Sequence, residues 1–404
     1  IYNSAKFWPD KIDSVLENRV KKGPLQEMPN LEIFQGKKTP AHSFLLGLMD
    51  SANSWIYIAS AKLRKNLNRR SFIAMIGMPP EVLPEIWTKV CTSFRIAKLK
   101  PLHLLWLLNW LHLYQTDDAS AVVWKVARDT FTKYRNSALH ALHDTLDEVR
   151  TLFNHKRIFG TVLTFQNSAG ELVGQIQDFV PTKGIFRGCT FSVDVTECEL
   201  SRPNDRDIER LFWSGKAGCP TFKYEGTFGN NLKFPLFFIA FISANSIYFI
   251  SVATQIASGR ILWFSGGVPA VSDVKILELS GLLNKLLPGE RGLADKGYVK
   301  NSISDKIIYP FKAPNTEPGH LLFNRALSAV RILVERTNGL IKQFKILSVP
   351  FRHHIALHST VFSVVCNLVN IRLNVFPLVK EPHKLLRGLP VKFTMNKRAI
   401  PVAE

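Results

Sequence analysis

The sequence predicts an α/β protein in which a mixed domain of strands and helices follows an all-helical region. Between Pro80 and Val149, apolar residues recur at helical spacing. After His155 the pattern changes to short β-branched and aromatic runs bounded by Gly, Pro and Ser, which is typical of strands. Helical spacing returns at Asn324. Strands followed by helices in one unit indicate an α/β domain.

The chain is long enough to bury a full core and is strongly basic. It has 404 residues, 46% of them apolar, and a net charge of +20. This composition excludes a disordered chain. The positive excess attracts polyanions, of which nucleic acid is the commonest; an acidic membrane surface and a merely soluble basic surface are the alternatives. The five Cys form no CxxC pair, so neither a zinc knuckle nor a disulfide framework is indicated.

Four segments follow from these patterns. Residues 1–80 are poorly patterned and include the basic run Lys62–Arg70, either a solvated face or a phosphate contact. Residues 81–155 form the helical region. Residues 156–375 form the α/β domain, and 376–404 form a basic tail.

The helical region has the layout of a helix-turn-helix. Leu102–Tyr114 is apolar nearly all round, which predicts a buried helix. Asp117 and Asp118 suit the start of the next helix, and a third helix follows a short break. In such a motif the last helix enters the major groove of DNA; an ordinary helical bundle is the alternative. The residues near its start that would contact DNA are Lys133, Tyr134 and Arg135.

Three acids from distant points of the α/β domain are candidates for a shared site. Asp194 falls within the strand pattern "TFSVDVTE", where Asp is disfavoured. Asp295 ends the short apolar run "GLAD". Glu335 lies on the helix face opposite the apolar stripe, in line with Arg331 and Asn338. If that helix packs beside the strand ends the three converge; otherwise each is a surface or ion-paired acid.

Converging carboxylates repel one another unless a cation lies between them. Hard oxygen ligands favour Mg²⁺ or Mn²⁺. Two such ions about 3.5–4 Å apart stabilise the attacking and leaving oxygens of a phosphoryl transfer. A basic surface would then bind the DNA backbone while the inward acids hold the metal.

Several stretches between Leu102 and Ile371 are similar to one family. They are "SVDVTECEL", "FWSGKAGCPTFKYE", "GGVPAVSDVKILELSGLL", "GLADKGY" and "VERTNGLIKQFKIL". Together, in this order, they resemble the PIF/Harbinger transposases and their domesticated nuclease relatives, a DDE-type endonuclease family. The resemblance covers about two-thirds of the chain.

The resemblance implies a ribonuclease H-like catalytic domain, a mixed sheet flanked by helices, preceded by a helix-turn-helix. It implies Asp194, Asp295 and Glu335 as the catalytic, metal-binding acids, with Asp273 as a further ligand or neighbour. Lys216 would lie near the substrate strand, and Lys342 completes the residues expected to contact DNA. The implied partners are DNA, a Myb-like accessory DNA-binding protein and a second copy of the chain, in the nucleus and without a membrane.

Three departures from the family pattern concern activity. Where the family usually has Asp-Gly-Thr-His, this chain has Asp194-Val195-Thr196-Glu197, and Lys296 replaces a Ser after Asp295. The three acids are retained. Two functions therefore stay open: a metal-dependent DNA endonuclease of transposase origin, and a catalytically inactive, domesticated transposase that binds DNA.

One block interrupts the resemblance. Residues 226–251 intervene where the family continues directly into a strand, so they are predicted to be an insertion or untranslated sequence kept in a gene model. The uncharged stretch Phe234–Ala253 is also long enough to cross a bilayer. A membrane anchor is thus a third, least favoured hypothesis.

Overall fold

The computed structural model describes most of the chain beyond residue 48. Two compact units are distinguished, Ile1–Leu48 and Met49–Glu404, and all described residues lie in the second. The described residues are 49–148, 162–166, 172–177, 186, 188–201, 213–214, 218–224, 252–255, 259–264, 272–311, 318–354 and 356–378.

The first part of this unit is helical, as the apolar spacing predicts. Side-chain caps define several helix starts: the hydroxyl of Thr116, for example, accepts a 3.2 Å hydrogen bond from the amide of Ala119, and Asp117 and Asp118 lie in the first turn. The helices are α1 (Ala52–Leu63), α2 (Arg69–Ile76), α3 (Leu83–Ile96), α4 (Pro101–Leu113), α5 (Asp117–Trp124) and α6 (Arg128–Thr145).

Helices α1 and α2 lie in the region 1–80 that the sequence pattern left unassigned. Helix α1 buries Trp55, Ala59 and Leu63, one residue every four. A stripe this narrow produces little amphipathic contrast, which is why the pattern did not reveal it.

Helix α4 is the centre of the helical region. Every residue from Leu104 to Leu111 is buried, which confirms the predicted buried helix. Its one amide, Asn109, is satisfied: Nδ2 donates to the carbonyl of Met75 at 2.8 Å, and Oδ1 accepts from the indole of Trp124 at 3.0 Å. The polar group therefore fixes neighbouring helices within an apolar core.

The second part mixes short strands with three helices, which confirms the α/β class. The strands are β1 (Val162–Gln166), β2 (Leu172–Gln177), β3 (Cys189–Asp194), β4 (Thr196–Glu199), β5 (Trp213–Ser214), β6 (Cys219–Tyr224), β7 (Val252–Gln255), β8 (Ile261–Trp263), β9 (Arg291–Leu293) and β10 (Ile307–Ile308). The helices are α7 (Asp273–Leu279), α8 (Pro318–Lys342) and α9 (Ala356–Val375).

The main sheet has the strand order β10-β9-β3-β7-β8. Strand β3 is central, parallel to β9 and antiparallel to β7. Strand β10 is parallel to β9, and β8 is antiparallel to β7. A smaller sheet has the order β4-β6-β5, and β1 pairs with β2 as a separate antiparallel pair.

Two apolar clusters pack against the main sheet. In one, Phe191 and Val193 of β3 meet Leu277 of α7. In the other, Cys189 and Leu293 meet the buried face of α8. The sheet therefore holds α7 and α8 close to the central strand β3.

Helical spacing predicts one apolar stripe along α8 and just beyond its end, and this stripe is buried with one exception. The predicted residues are Ala326, Ala329, Val330, Leu333, Thr337, Leu340, Ile341 and Phe344. Ala329 is exposed, whereas Phe323, Leu327 and Val334, which the predicted stripe omitted, are buried. The buried face is thus rotated slightly towards the larger side chains, because these remove more apolar area from water than Ala does.

One helix in the described residues, α9, has the length and apolar composition of a membrane span, and 67% of its most apolar window is buried inside the fold. The predicted candidate span Phe234–Ala253 and the predicted insertion 226–251 lie outside the described residues, except that Val252 and Ala253 belong to β7.

Candidate active site

Asp194 and Asp295 lie side by side at the carboxyl ends of two parallel strands. Strands β3 and β9 are in register at Ser192 and Leu293. The hydroxyl of Ser192 also donates a 3.2 Å hydrogen bond to the carbonyl of Leu293. Each strand reaches an aspartate two residues later. Because parallel strands end at the same edge of a sheet, both carboxylates are presented there.

Strand β3 ends at Asp194, whereas the sequence pattern placed this residue in mid-strand. Val195 separates β3 from β4, and β4 pairs with β6 in the smaller sheet. The chain changes sheets at this point, so the side chain of Asp194 remains 26% exposed.

The turn after β9 fixes the direction of Asp295. Its Oδ1 accepts a 2.8 Å hydrogen bond from the backbone amide of Gly297, and Asp295 is thereby the N-cap of the short 3₁₀ turn Lys296–Tyr298. Tyr298 is fully buried in the cluster that contains Phe191. The "DKGY" sequence therefore anchors the turn in the core while its acid stays at the sheet edge.

Asp273, the first residue of α7, lies beside the same turn. A methyl group built on Gly297 would be 2.9 Å from Oδ1 of Asp295 and 3.3 Å from Oδ2 of Asp273. Two carboxylates thus flank the α-carbon of Gly297, and the absence of a side chain there leaves them room.

Glu335 approaches from α8, on the same helix face as Arg331 and Asn338. Nη2 of Arg331 is 3.9 Å from Oδ1 of Asp194, and its Nη1 is 3.9 Å from Oε1 of Glu335. Nδ2 of Asn338 donates a 3.1 Å hydrogen bond to Oδ2 of Asp194. The guanidinium of Arg331 therefore lies between two of the predicted catalytic acids.

The electrostatics of Asp194 reflect this mixed environment. Burial raises the pKa of Asp194 to about 6; the Arg331 guanidinium lowers this pKa, and the Asp295 carboxylate raises it. The hydrogen bond from Asn338 favours the ionised form. Arg331 therefore offsets only part of the cost of burying a negative charge at Asp194. An added cation would offset more of that cost.

Within the part of the chain that is described, no group of three or more His, Cys, Asp or Glu side chains is arranged to hold a metal ion. The acids that gather here nevertheless supply only carboxylate oxygens, the donor type that hard divalent cations prefer. Asp194, Asp273 and Asp295 therefore fit such a cation by the chemistry of their side chains, and Glu335 supplies a further carboxylate next to Arg331.

The predicted DNA contacts on α6 have different environments. The side chain of Lys133 is exposed. The ring of Tyr134 stacks on His103 with centroids 4.2 Å apart. Arg135 is only 3% exposed, so of these three only Lys133 lies fully open to solvent.

Arg135 is part of the interior of the helical region. Its guanidinium pairs with Asp117 and lies 4.3 Å from the ring centroid of Trp110. A sequence signal for this burial exists, because Arg135 falls within the apolar stripe of α6. The buried residues of that stripe are Phe131, Arg135, Ala138, Leu139 and Leu142.

Lys342 is also engaged within the fold. Its ammonium donates to the carbonyl of Leu347 at 2.7 Å and to the carbonyl of Glu197, which ties the end of α8 to β4. The carboxylate of Glu197 accepts a 3.2 Å hydrogen bond from the hydroxyl of Ser214. Lys216 lies outside the described residues.

Two lysines, Lys62 and Lys125, lie near each other at the ends of α1 and α5 in the helical region. Lys62, in the basic run Lys62–Arg70, lies near Lys125, and burial followed by the Lys125 charge lowers the pKa of Lys62. Lys125 caps α5 with a left-handed backbone, φ 52°. No sequence pattern singles out Lys125, because the two lysines come together only through the contact of α1 with α5.

Residues 236–370 match the family model described as DDE superfamily endonuclease. The matched stretch contains Asp273, Asp295 and Glu335 and begins after Asp194. The chain is also 26% identical over 166 residues to a "Probable transposase for insertion sequence element IS702" from Microchaete diplosiphon. That alignment covers 40% of this chain and 49% of the relative, so the chain spans about half the length of the curated relative. No solved structure matches the chain.

Proposed function

We propose that the chain is a metal-dependent DNA endonuclease of transposase origin. One observation carries the proposal: Asp194 and Asp295 meet at one sheet edge, and Glu335 approaches Asp194 through Arg331. The similarity of residues 236–370 to DDE superfamily endonucleases supports this class of activity.

We further propose that residues 156–375 form a ribonuclease H-like catalytic domain of the Harbinger type. Two observations support it: a mixed five-stranded sheet has two acids at the ends of neighbouring parallel strands, and a third acid lies on a helix packed against that sheet. The "GLADKGY" and "VERTNGLIKQFKIL" motifs, which resemble the Harbinger family, form the turn after β9 and most of the C-terminal half of α8.

The acids would hold Mg²⁺ or Mn²⁺, which when bound neutralises charge and activates oxygens at the scissile phosphate. Asp194 and Asp295 would hold the ion from the strand ends, Asp273 from the start of α7 and Glu335 from α8. In the proposed hydrolysis, the oxygen of water bonds to phosphorus and the bond from phosphorus to the 3′ oxygen breaks. The proton released by water ends on that 3′ oxygen, which leaves a 3′-hydroxyl and a 5′-phosphate.

DNA would be held by the basic surface of a chain whose net charge is +20. The helical region 81–155 is the proposed DNA-orienting module, with Lys133 as its exposed cation on α6. The alternative is that this region is an ordinary helical bundle that does not contact DNA. In either case, the packing of α6 against α9 favours a rigid attachment of the helical region to the α/β domain.

The resemblance supplies the remaining proposals. The protein would act in the nucleus, as a homodimer or with a Myb-like accessory protein that recognises the target sequence. The burial of most of α9 inside the fold agrees with a protein that has no membrane anchor in this helix.

A second function, DNA binding without catalysis, has its own support. The guanidinium of Arg331 lies between Asp194 and Glu335, and Val195 and Lys296 depart from the family pattern. A domesticated transposase of this kind would bind DNA in a salt-sensitive way and leave it intact.

Nicking of supercoiled plasmid in Mg²⁺ or Mn²⁺ distinguishes the two functions. We expect nicking by the wild type and its loss in the Asp194→Asn, Asp295→Asn and Glu335→Gln variants. The matched control is Asp305→Asn, since Asp305 is an exposed acid outside the site. Binding of DNA without nicking in either metal would select the inactive, DNA-binding function.

A further inference from the structure

Two residues of α8 control the environment of Asp194, and neither is among the predicted catalytic acids. Asn338 donates a 3.1 Å hydrogen bond to Oδ2 of Asp194. Arg331 lies 3.9 Å from the other carboxylate oxygen. One side chain thus orients the carboxylate, and the other balances its charge.

Among the described residues, the contacts of the Arg331 guanidinium are ion pairs rather than hydrogen bonds. Its side chain is 13% exposed, and both of its ion pairs, to Asp194 and to Glu335, are 3.9 Å long, beyond hydrogen-bonding distance. Its Nε is buried and has no hydrogen-bond partner in the described residues. A largely buried guanidinium whose Nε lacks a hydrogen bond is costly to keep in place, and this cost favours its displacement by a cation that the acids bind more tightly.

The two polar atoms of the Asn338 side-chain amide differ in their hydrogen bonding. Its Nδ2 is bonded to Asp194, while its Oδ1 is buried without a partner in the described residues. Residues that hydrogen-bond to metal-binding carboxylates set their direction and thereby the metal affinity.

We propose that Arg331 is the counter-charge that an incoming divalent cation displaces, and that Asn338 is the positioning residue that keeps Asp194 directed towards that cation. The inference rests on the proposed metal centre. It predicts opposite effects for two residues on one helix face: loss of Arg331 favours metal binding, because a competing positive charge is gone, and loss of Asn338 weakens it.

Mn²⁺ binding to the full chain by isothermal titration calorimetry tests this inference. We expect Arg331→Gln to bind Mn²⁺ about tenfold more tightly, the scale of one charge interaction in a partly buried site. We expect Asn338→Ala to bind about tenfold more weakly. The matched control is Arg336→Gln, which removes the same charge from an exposed position on the same helix. Arg331→Lys should keep an affinity near that of the wild type, because it keeps the charge.

Thermal melting provides a readout independent of affinity. Without metal, Arg331→Gln should melt below Arg336→Gln, because the acids lose their counter-charge. With saturating Mn²⁺ the two variants should melt at similar temperatures. An Arg331→Gln protein that melts lower by the same amount in both conditions, or that binds Mn²⁺ no more tightly than Arg336→Gln, would overturn the displacement.

Asp194→Asn separates this inference from the proposed function. If this variant binds Mn²⁺ as well as the wild type does, or if the wild type binds none, the metal centre itself is wrong and the inference is overturned with it. If Asp194→Asn loses binding but Arg331→Gln and Asn338→Ala match the wild type, the metal centre stands and only the inference is overturned.

Discussion

Asp194 ends strand β3, Asp295 follows the end of the neighbouring parallel strand β9, and the charge of Asp295 contributes to the raised pKa of Asp194. The unfolded chain would titrate this carboxyl near 3.9, whereas burial raises the pKa of Asp194 to about 6 in the fold. A raised carboxyl pKa favours the neutral form, so the folded state loses stability as pH rises from about 4 through about 6.

Replacement of Asp194 by Asn should therefore stabilise the metal-free protein at neutral pH. We expect a gain on the order of 2 kcal/mol at pH 7.5 and almost none at pH 4. Urea unfolding in the presence of EDTA at both pH values measures it. A gain of equal size at the two pH values would show that ionisation of this group is not the cause.

Gly297 should be intolerant of even a methyl group. The built methyl lies 2.9 Å from the carboxylate of Asp295, so Gly297→Ala must shift that acid and should reduce nicking about tenfold or more. The control is Gly339→Ala on α8, where a methyl meets no heavy atom within 4 Å. That variant should gain about 0.5–1 kcal/mol of stability and keep full nicking activity.

Substitutions at Arg135 and Lys133 should have different effects. The first should lower stability, and the second should weaken DNA binding. Arg135→Met leaves Asp117, whose side chain is 17% exposed, without its cationic partner and with the hydroxyl of Thr132 still donating to it, and should cost about 3 kcal/mol in urea unfolding. Lys133→Met removes an exposed cation and should change stability by less than about 0.5 kcal/mol while it weakens DNA binding. The assignment of α6 to DNA contact would be wrong if Lys133→Met bound DNA like the wild type.

Lys62 and Lys125 should contribute to DNA affinity through phosphate contact. Their mutual repulsion falls when a phosphate lies between them, so the double variant Lys62→Gln, Lys125→Gln should lower the salt dependence of binding by about 0.9 for each lost contact. Fluorescence anisotropy over a range of salt concentrations measures the slope. The control is Lys300→Gln, because Lys300 already pairs with Glu278 at 2.6 Å. If the salt dependence of DNA binding had the same slope for the double variant and for the control, Lys62 and Lys125 would not contact phosphate.

The sequence by itself determined the local structure around the site. The start of α5 follows from Asp117 and Asp118, because acids are favoured in the first turn of a helix, and the all-apolar α4 follows from its composition. The face of α8 that carries Arg331, Glu335 and Asn338 follows from helical periodicity. Each of these depends on residues a few positions apart, which a linear pattern records.

Only the tertiary structure decided which of these residues meet. The alignment of Asp194 with Asp295 depends on strand register across about a hundred residues, and the placement of Arg331 between two acids depends on how α8 packs on the sheet. Arg135 points inward because Asp117 and Trp110 supply charge and ring partners. Sequence spacing assigns a residue to a face, but the burial and charge of distant partners decide what that face contacts, and such contacts form only when the whole core packs.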